Sequence, residues 1–110
     1  MPSSAIKPGC YAAIFSSQRT DQDARGYEEM SKRMEALAKT MPGYLGIESA
    51  RDENGFGITV SYWESEEAIA NWKKNANHAE AQHRGKVDWY KEYSVRVAKV
   101  ERAYEMKKQR

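Results

Sequence analysis

The sequence predicts a single α+β domain with the element order βαββαβ, a ferredoxin-like arrangement in which a four-stranded antiparallel sheet carries two helices on one face. Three observations carry that prediction. Two alternating segments flank the turn Asp52-Glu53-Asn54-Gly55, two others place apolar residues at helical spacing, and strand-compatible runs open and close the domain. A right-handed crossover in each βαβ half puts both helices on the same side and leaves the other sheet face uncovered.

Each element has its own signal. Residues 1–9 lack periodicity and read as a flexible leader, with Pro8-Gly9 as a turn before the first strand at 10–17, CYAAIFSS. From 26 to 40 the apolar residues Tyr27, Met30, Met34, Leu37 and Ala38 form one helical stripe that continues to Met41, and Pro42-Gly43 ends the helix. Residues 44–50 and 56–62 alternate as a hairpin, with Asn54-Gly55 expected to supply the positive φ angles of the turn. Ser65 caps the second helix and Glu66 and Glu67 occupy its first turn, where the dipole favours negative charge. A break is expected at Asn75-Ala76-Asn77, followed by a second helical piece over 79–84. The last strand, 93–104, carries apolar residues in two phases, which predicts a bulge near Ala98 or a strand covered on both faces. The domain thus spans 10–104, and 105–110 reads as a solvated basic tail.

Composition narrows the function classes. The formal charge is +2, from 18 basic and 16 acidic residues interleaved along the chain, which argues against nucleic acid as a partner. The single cysteine, Cys10, allows no internal disulfide and fits a reducing compartment, where it reads as a packing residue. No stretch has the length and apolarity of a signal peptide or a membrane helix, so a cytoplasmic, soluble protein without membrane partners is expected. Metal-ligand spacings and phosphate loops are absent from the sequence, and no metal site is expected. The uncovered sheet face is not all polar, which predicts a homodimer.

Four segments, YAAIFSSQRT from Tyr11, MPGYLGIES from Met41, GFGITVSYWESEEAIANWKKNANH from Gly55 and EYSVRVAKVERAY from Glu92, resemble the antibiotic biosynthesis monooxygenase (ABM) family. That family belongs to the dimeric α+β barrels. The resemblance implies a homodimer with a pocket in each subunit between sheet and helices, and a small aromatic ligand. Family members that oxidise phenols use neither metal nor flavin: a phenol or quinol loses a proton, and its anion passes an electron directly to oxygen. Such a site needs a proton acceptor and an oxyanion holder inside a water-poor, aromatic-walled cavity.

The resemblance also assigns residues. Trp72 stands where phenol-oxidising and haem-degrading relatives place a tryptophan, and is either a pocket wall or a core residue closing the second helix onto the sheet; His78, six residues on, is either a proton acceptor or an exposed histidine at the helix break, and these two form the expected catalytic pair. Haem-degrading relatives ligate iron through a histidine ten residues after that tryptophan, a place held here by Gln82, with His83 next to it. Those relatives also carry an asparagine in the first strand, where this chain has Phe15, Ser16 and Ser17. Phe15, Tyr62, Trp63, Gln82, His83 and Arg96 complete the expected substrate-binding set; Arg96 in the last strand either holds an anionic oxygen or forms a salt bridge at the sheet surface or dimer seam, and of Tyr62 and Trp63, which line the pocket or the dimer seam, only one is able to face the helices. The expected function is a cofactor-independent monooxygenase acting on a small phenolic or quinone-like compound. Haem binding through His83 with haem degradation, and a non-catalytic ligand-binding or stress-related dimer, are the alternatives.

Overall fold

The computed structural model describes residues 6–81 and 89–108. It contains β1 (Tyr11–Arg19), α1 (Ala24–Lys39), β2 (Tyr44–Arg51), β3 (Phe56–Trp63), α2 (Glu66–Ala81) and β4 (Tyr90–Lys99), in the order read from sequence. The strands form one antiparallel sheet ordered β2-β3-β1-β4, the ferredoxin-like topology. Among the described residues no helix is long and apolar enough to cross a membrane.

The register decides which side chains share a face. Tyr11, Ala13, Phe15 and Ser17 of β1 pair with Trp63, Ser61, Thr59 and Gly57 of β3, and with Lys99, Val97, Val95 and Tyr93 of β4. Trp63 packs against Ala38 of α1 and Ile69 of α2, so these residues all lie on the helix face. The alternate set, including Ile14, Ile58, Val60, Tyr62 and Arg96, lies on the open face. There Phe56 and Ile58 remain 46% and 42% exposed.

Local chemistry sets the boundaries, and several differ from expectation. α1 begins at Ala24 because Asp23 caps it: a carboxylate oxygen of Asp23 accepts from Gly26 N–H at 3.1 Å, with Asp23 itself left-handed at φ 47°. A Cβ on residue 26 would collide with that carboxylate, which explains a glycine inside the first turn. The hairpin turn uses one left-handed residue rather than two. Gly55, at φ 92°, follows a turn closed by its own N–H to Asp52 C=O, and Asp52 Oδ1 accepts from Asn54 and Phe56 N–H.

The second helix does not break at 75–77. Asn75 donates its side-chain amide to Asn71 C=O one turn back at 2.9 Å, which ties the asparagine to the helix instead of diverting the backbone, and α2 runs unbroken to Ala81. The expected helical piece at 79–84 falls partly outside the described residues. The sheet irregularities are also elsewhere: register shifts between Gln18 and Arg19 opposite the start of β4 and between Tyr44 and Gly46 opposite the end of β3, while Ala98 pairs regularly with Ala12. β4 is an edge strand largely exposed along its length, not one covered on both faces. Ser65 caps α2 as expected, accepting from Ala68 N–H at 3.1 Å.

Candidate functional site

The helix face has two ends of different chemistry. At the first, Trp63 is fully buried, stacks on Trp72 at 5.8 Å between ring centroids and meets Tyr44 edge-on at 5.7 Å. Its indole N–H donates to Ser61 Oγ at 2.9 Å, so the buried polar atom is satisfied inside an otherwise apolar cluster. Gly43 permits this closure. It is left-handed at φ 84°, and a Cβ there would stand 2.7 Å from the Ala68 Cβ of α2.

At the second end, Phe15, Tyr27, Trp89, Tyr90 and Tyr93 form a chain of ring contacts between 5.4 and 5.9 Å. Two arginines converge on the middle ring. Arg19, only 9% exposed, lays its guanidinium 4.0 Å from the Tyr27 ring centre and donates to Trp89 C=O at 2.7 Å. Arg51 reaches across β3, donating to Ser17 Oγ and Tyr27 Oη at 2.9 Å each and to Gly55 C=O at 2.6 Å. Gly57 makes that crossing possible, because a Cβ at this position would stand 2.6 Å from the arginine's Cζ. Beside the rings, Tyr93, Val95 and Val97 continue along β4, at 63%, 51% and 49% exposure. This is an aromatic and aliphatic strip open to approach, able to hold a flat unsaturated molecule by stacking and burial.

A separate recess of about 540 Å³ lies on the other side of the sheet, lined by Ile6, Pro8, Glu48, Tyr62, Arg102 and Tyr104 among others. Tyr62 donates to Glu48 Oε1 at 3.0 Å. Burial first, and then the hydrogen bond and negative charge of Glu48, push the Tyr62 phenol above its ordinary pKa. Tyr44 is raised as well, by burial and the charge of Glu35. Both phenols keep their protons at neutral pH, so neither is a base there.

The structure brings some expected site residues together and separates others. Trp63 and Trp72 touch, and of the pair Tyr62 and Trp63 it is Trp63 that faces the helices. Phe15 belongs to the other end of that face. Tyr62 and Arg96 point to the open side, where Arg96 is exposed and donates to Ser94 Oγ at 3.1 Å. His78 is exposed on α2. Gln82 and His83 lie outside the described residues. Arg19, Arg51, Tyr27 and Tyr90 were not expected. Arg19 could have been found by continuing the alternation Tyr11, Ala13, Phe15, Ser17 by two residues, whereas Arg51 has no comparable signal because its reach depends on Gly57 across the strand pair.

Known proteins with the same architecture define the chain's kinship. Residues 9–84 match the family model for antibiotic biosynthesis monooxygenase. The chain is 49% identical over 96 residues, covering 87% of its own length and 83% of the relative's, to the uncharacterised protein YqjZ of Bacillus subtilis. Among solved structures it resembles SnoaB, a cofactor-independent oxygenase from Streptomyces nogalater, with a TM-score of 0.65 at 9% identity over 86% of this chain and 96% of that one. It also resembles the haem-degrader MhuD of Mycobacterium tuberculosis, with a TM-score of 0.57 at 26% identity over 82% and 94%. The first of these structural likenesses speaks for the fold alone, but the family model covers most of the domain, and the chain belongs to the antibiotic biosynthesis monooxygenase family.

Proposed function

We propose that the protein is a homodimeric, cofactor-independent monooxygenase acting on a small phenolic or quinone-like compound bound along the helix face. The observation that supports this, beside family membership, is the half-open strip of Phe15, Tyr90, Tyr93, Val95 and Val97, whose rings lie 5.4 to 5.9 Å apart. Stacking there would fix a flat substrate and exclude water from one of its faces.

The substrate is its own reductant in this reaction. Its phenolic O–H gives a proton to a base and its electrons pass to dioxygen, one oxygen atom entering the product and the other leaving as water. His78 is assigned as the proton acceptor and Trp72 as a wall, as the family resemblance suggests. Metal-free protein incubated with a panel of quinols and phenols in an oxygen electrode should consume oxygen above the buffer rate, and no excess uptake across the panel would overturn the reading.

The homodimer is supported by the open face, where exposed Phe56 and Ile58 stand beside Val60 and the recess at Tyr62. Light scattering coupled to size exclusion should give twice the 12.6 kDa chain mass.

A haem reading is favoured by the 26% identity to MhuD. Among the described residues the histidine is His78, which is exposed, and the expected ligand His83 lies outside them. A haem titration without a shifted Soret band would remove this alternative. Binding without turnover is favoured by Trp72, which stacks on Trp63 as part of the core, and the oxygen assay decides between that role and catalysis.

A further inference from the structure

We infer that Arg19 and Arg51 form an anion subsite for the carboxylate of a planar, unsaturated ligand whose body lies on Phe15, Tyr90 and Tyr93. Among the described residues two cations meet at one aromatic ring without a counter-charge: Arg19 stands 4.0 Å and Arg51 5.5 Å from the Tyr27 ring centre. Among the described residues the ion pair formed is Glu35 with Lys39, far from this cluster in the chain and exposed, and no carboxylate pairs with either arginine. Asp52, the acidic neighbour of Arg51 in sequence, has its Oδ1 occupied by the N–H groups of Asn54 and Phe56.

Removing a guanidinium from water is unfavourable unless opposite charge or hydrogen bonds compensate. Arg51 is met by neutral acceptors, Ser17 Oγ, Tyr27 Oη and two backbone carbonyls. Arg19, the more buried of the two, has one such acceptor, Trp89 C=O, and the face of Tyr27. Its remaining N–H donors suit a carboxylate, which takes paired hydrogen bonds from a planar guanidinium. The neighbouring surface selects the rest of the ligand. Tyr27 contacts Tyr90, which contacts Phe15 and Tyr93, so the cationic end runs directly into the aromatic strip. Charge at one end and stacking area along the other describe a flat organic acid better than an inorganic anion.

This deepens the proposed use of the helix face as a substrate surface, but it does not depend on oxidation. Calorimetric titration of the wild-type protein with 2-naphthoate, its uncharged isostere 2-naphthamide, and inorganic phosphate separates the contributions. Naphthoate should bind at least about tenfold more tightly than the amide, weaken with added salt, and bind more tightly than phosphate. Arg19→Gln should bring acid and amide together while Arg19→Lys keeps part of the difference. Equal affinities for acid and amide in the wild type overturn the inference, as does an acid preference that Arg19→Gln leaves intact. Tighter binding of phosphate overturns the aromatic half of it. If circular dichroism shows Arg19→Gln unfolded, the wild-type ratio, its salt dependence and Arg19→Lys still decide. Since no oxygen uptake is read, failure of quinol turnover and failure of this subsite are separate results.

Discussion

The Trp63 end and the Tyr27 end of the helix face are both built from aromatic residues on the same sheet, yet they solve different problems. Around Trp63 the packing is aromatic and aliphatic, its indole N–H is satisfied by Ser61 Oγ, the ring is fully buried, and both helices close over it through Ala38 and Ile69. Around Tyr27 the rings share their space with two guanidinium groups, and the strip continuing from them along β4 is half open. Among the described residues the helix face is closed around Trp63 and open along β4 at Tyr93, Val95 and Val97. Stability is therefore expected to reside at Trp63 and binding at Tyr27, since a surface that has already saturated its contacts has none left for a ligand.

The sharpest way to break this division is to empty the dry end. Trp63→Ala removes the largest fully buried side chain and should cost about 3–5 kcal/mol in urea unfolding, enough to unfold much of a marginal domain. If the cost is under about 1 kcal/mol, the core has been misplaced. Gly57→Ala tests the other end with a smaller effect. Its new Cβ would push Arg51 off Ser17 and Tyr27, and because the obstructing atoms are the far end of a flexible side chain, the expected loss is about 1–2 kcal/mol. The same variant should lower affinity for 2-naphthoate more than for 2-naphthamide, and equal losses would show that Arg51 only supports the fold.

Alkaline pH probes a third region, the recess on the open side. The Tyr62 pKa is raised in the folded protein above the ordinary 10.0, so folding favours its protonated form. Its contribution is therefore fully present below pH 10.0 and is lost as pH rises through 10.0 toward the folded value, because the unfolded chain gives up the proton first. In an absorbance titration Tyr62 should ionise late, and Tyr62→Phe should delete one late-titrating phenol and flatten the stability loss above that pH. The smallest stability change is expected at His78, which is exposed: His78→Ala should shift unfolding by less than about 0.5 kcal/mol. Oxygen uptake on any accepted quinol should fall at least about tenfold if this imidazole takes the proton. Unchanged uptake would move the base elsewhere.

The elements of this fold were legible because each rests on local periodicity or local capping. The stripe from Tyr27 to Ala38 and the Ser65 cap require only neighbours three or four residues away. The errors came where a short-range rule met a competing short-range partner. Asn75 bonds back to Asn71 instead of ending its helix, and the hairpin turn needs one left-handed glycine where a two-residue turn would need two.

The candidate site was only partly legible. The sequence by itself determined the order of elements, the helical stripes and the fact that Tyr62 and Trp63 must face opposite ways. Tertiary structure decided which of them meets the helices. It also decided that Arg51 crosses a glycine on β3 to meet Ser17 and Tyr27, and that Arg19 arrives at the same ring from β1. The physical reason is range: strand register and helix docking join residues tens of positions apart, and no alternation within one segment records which partner lies across the sheet.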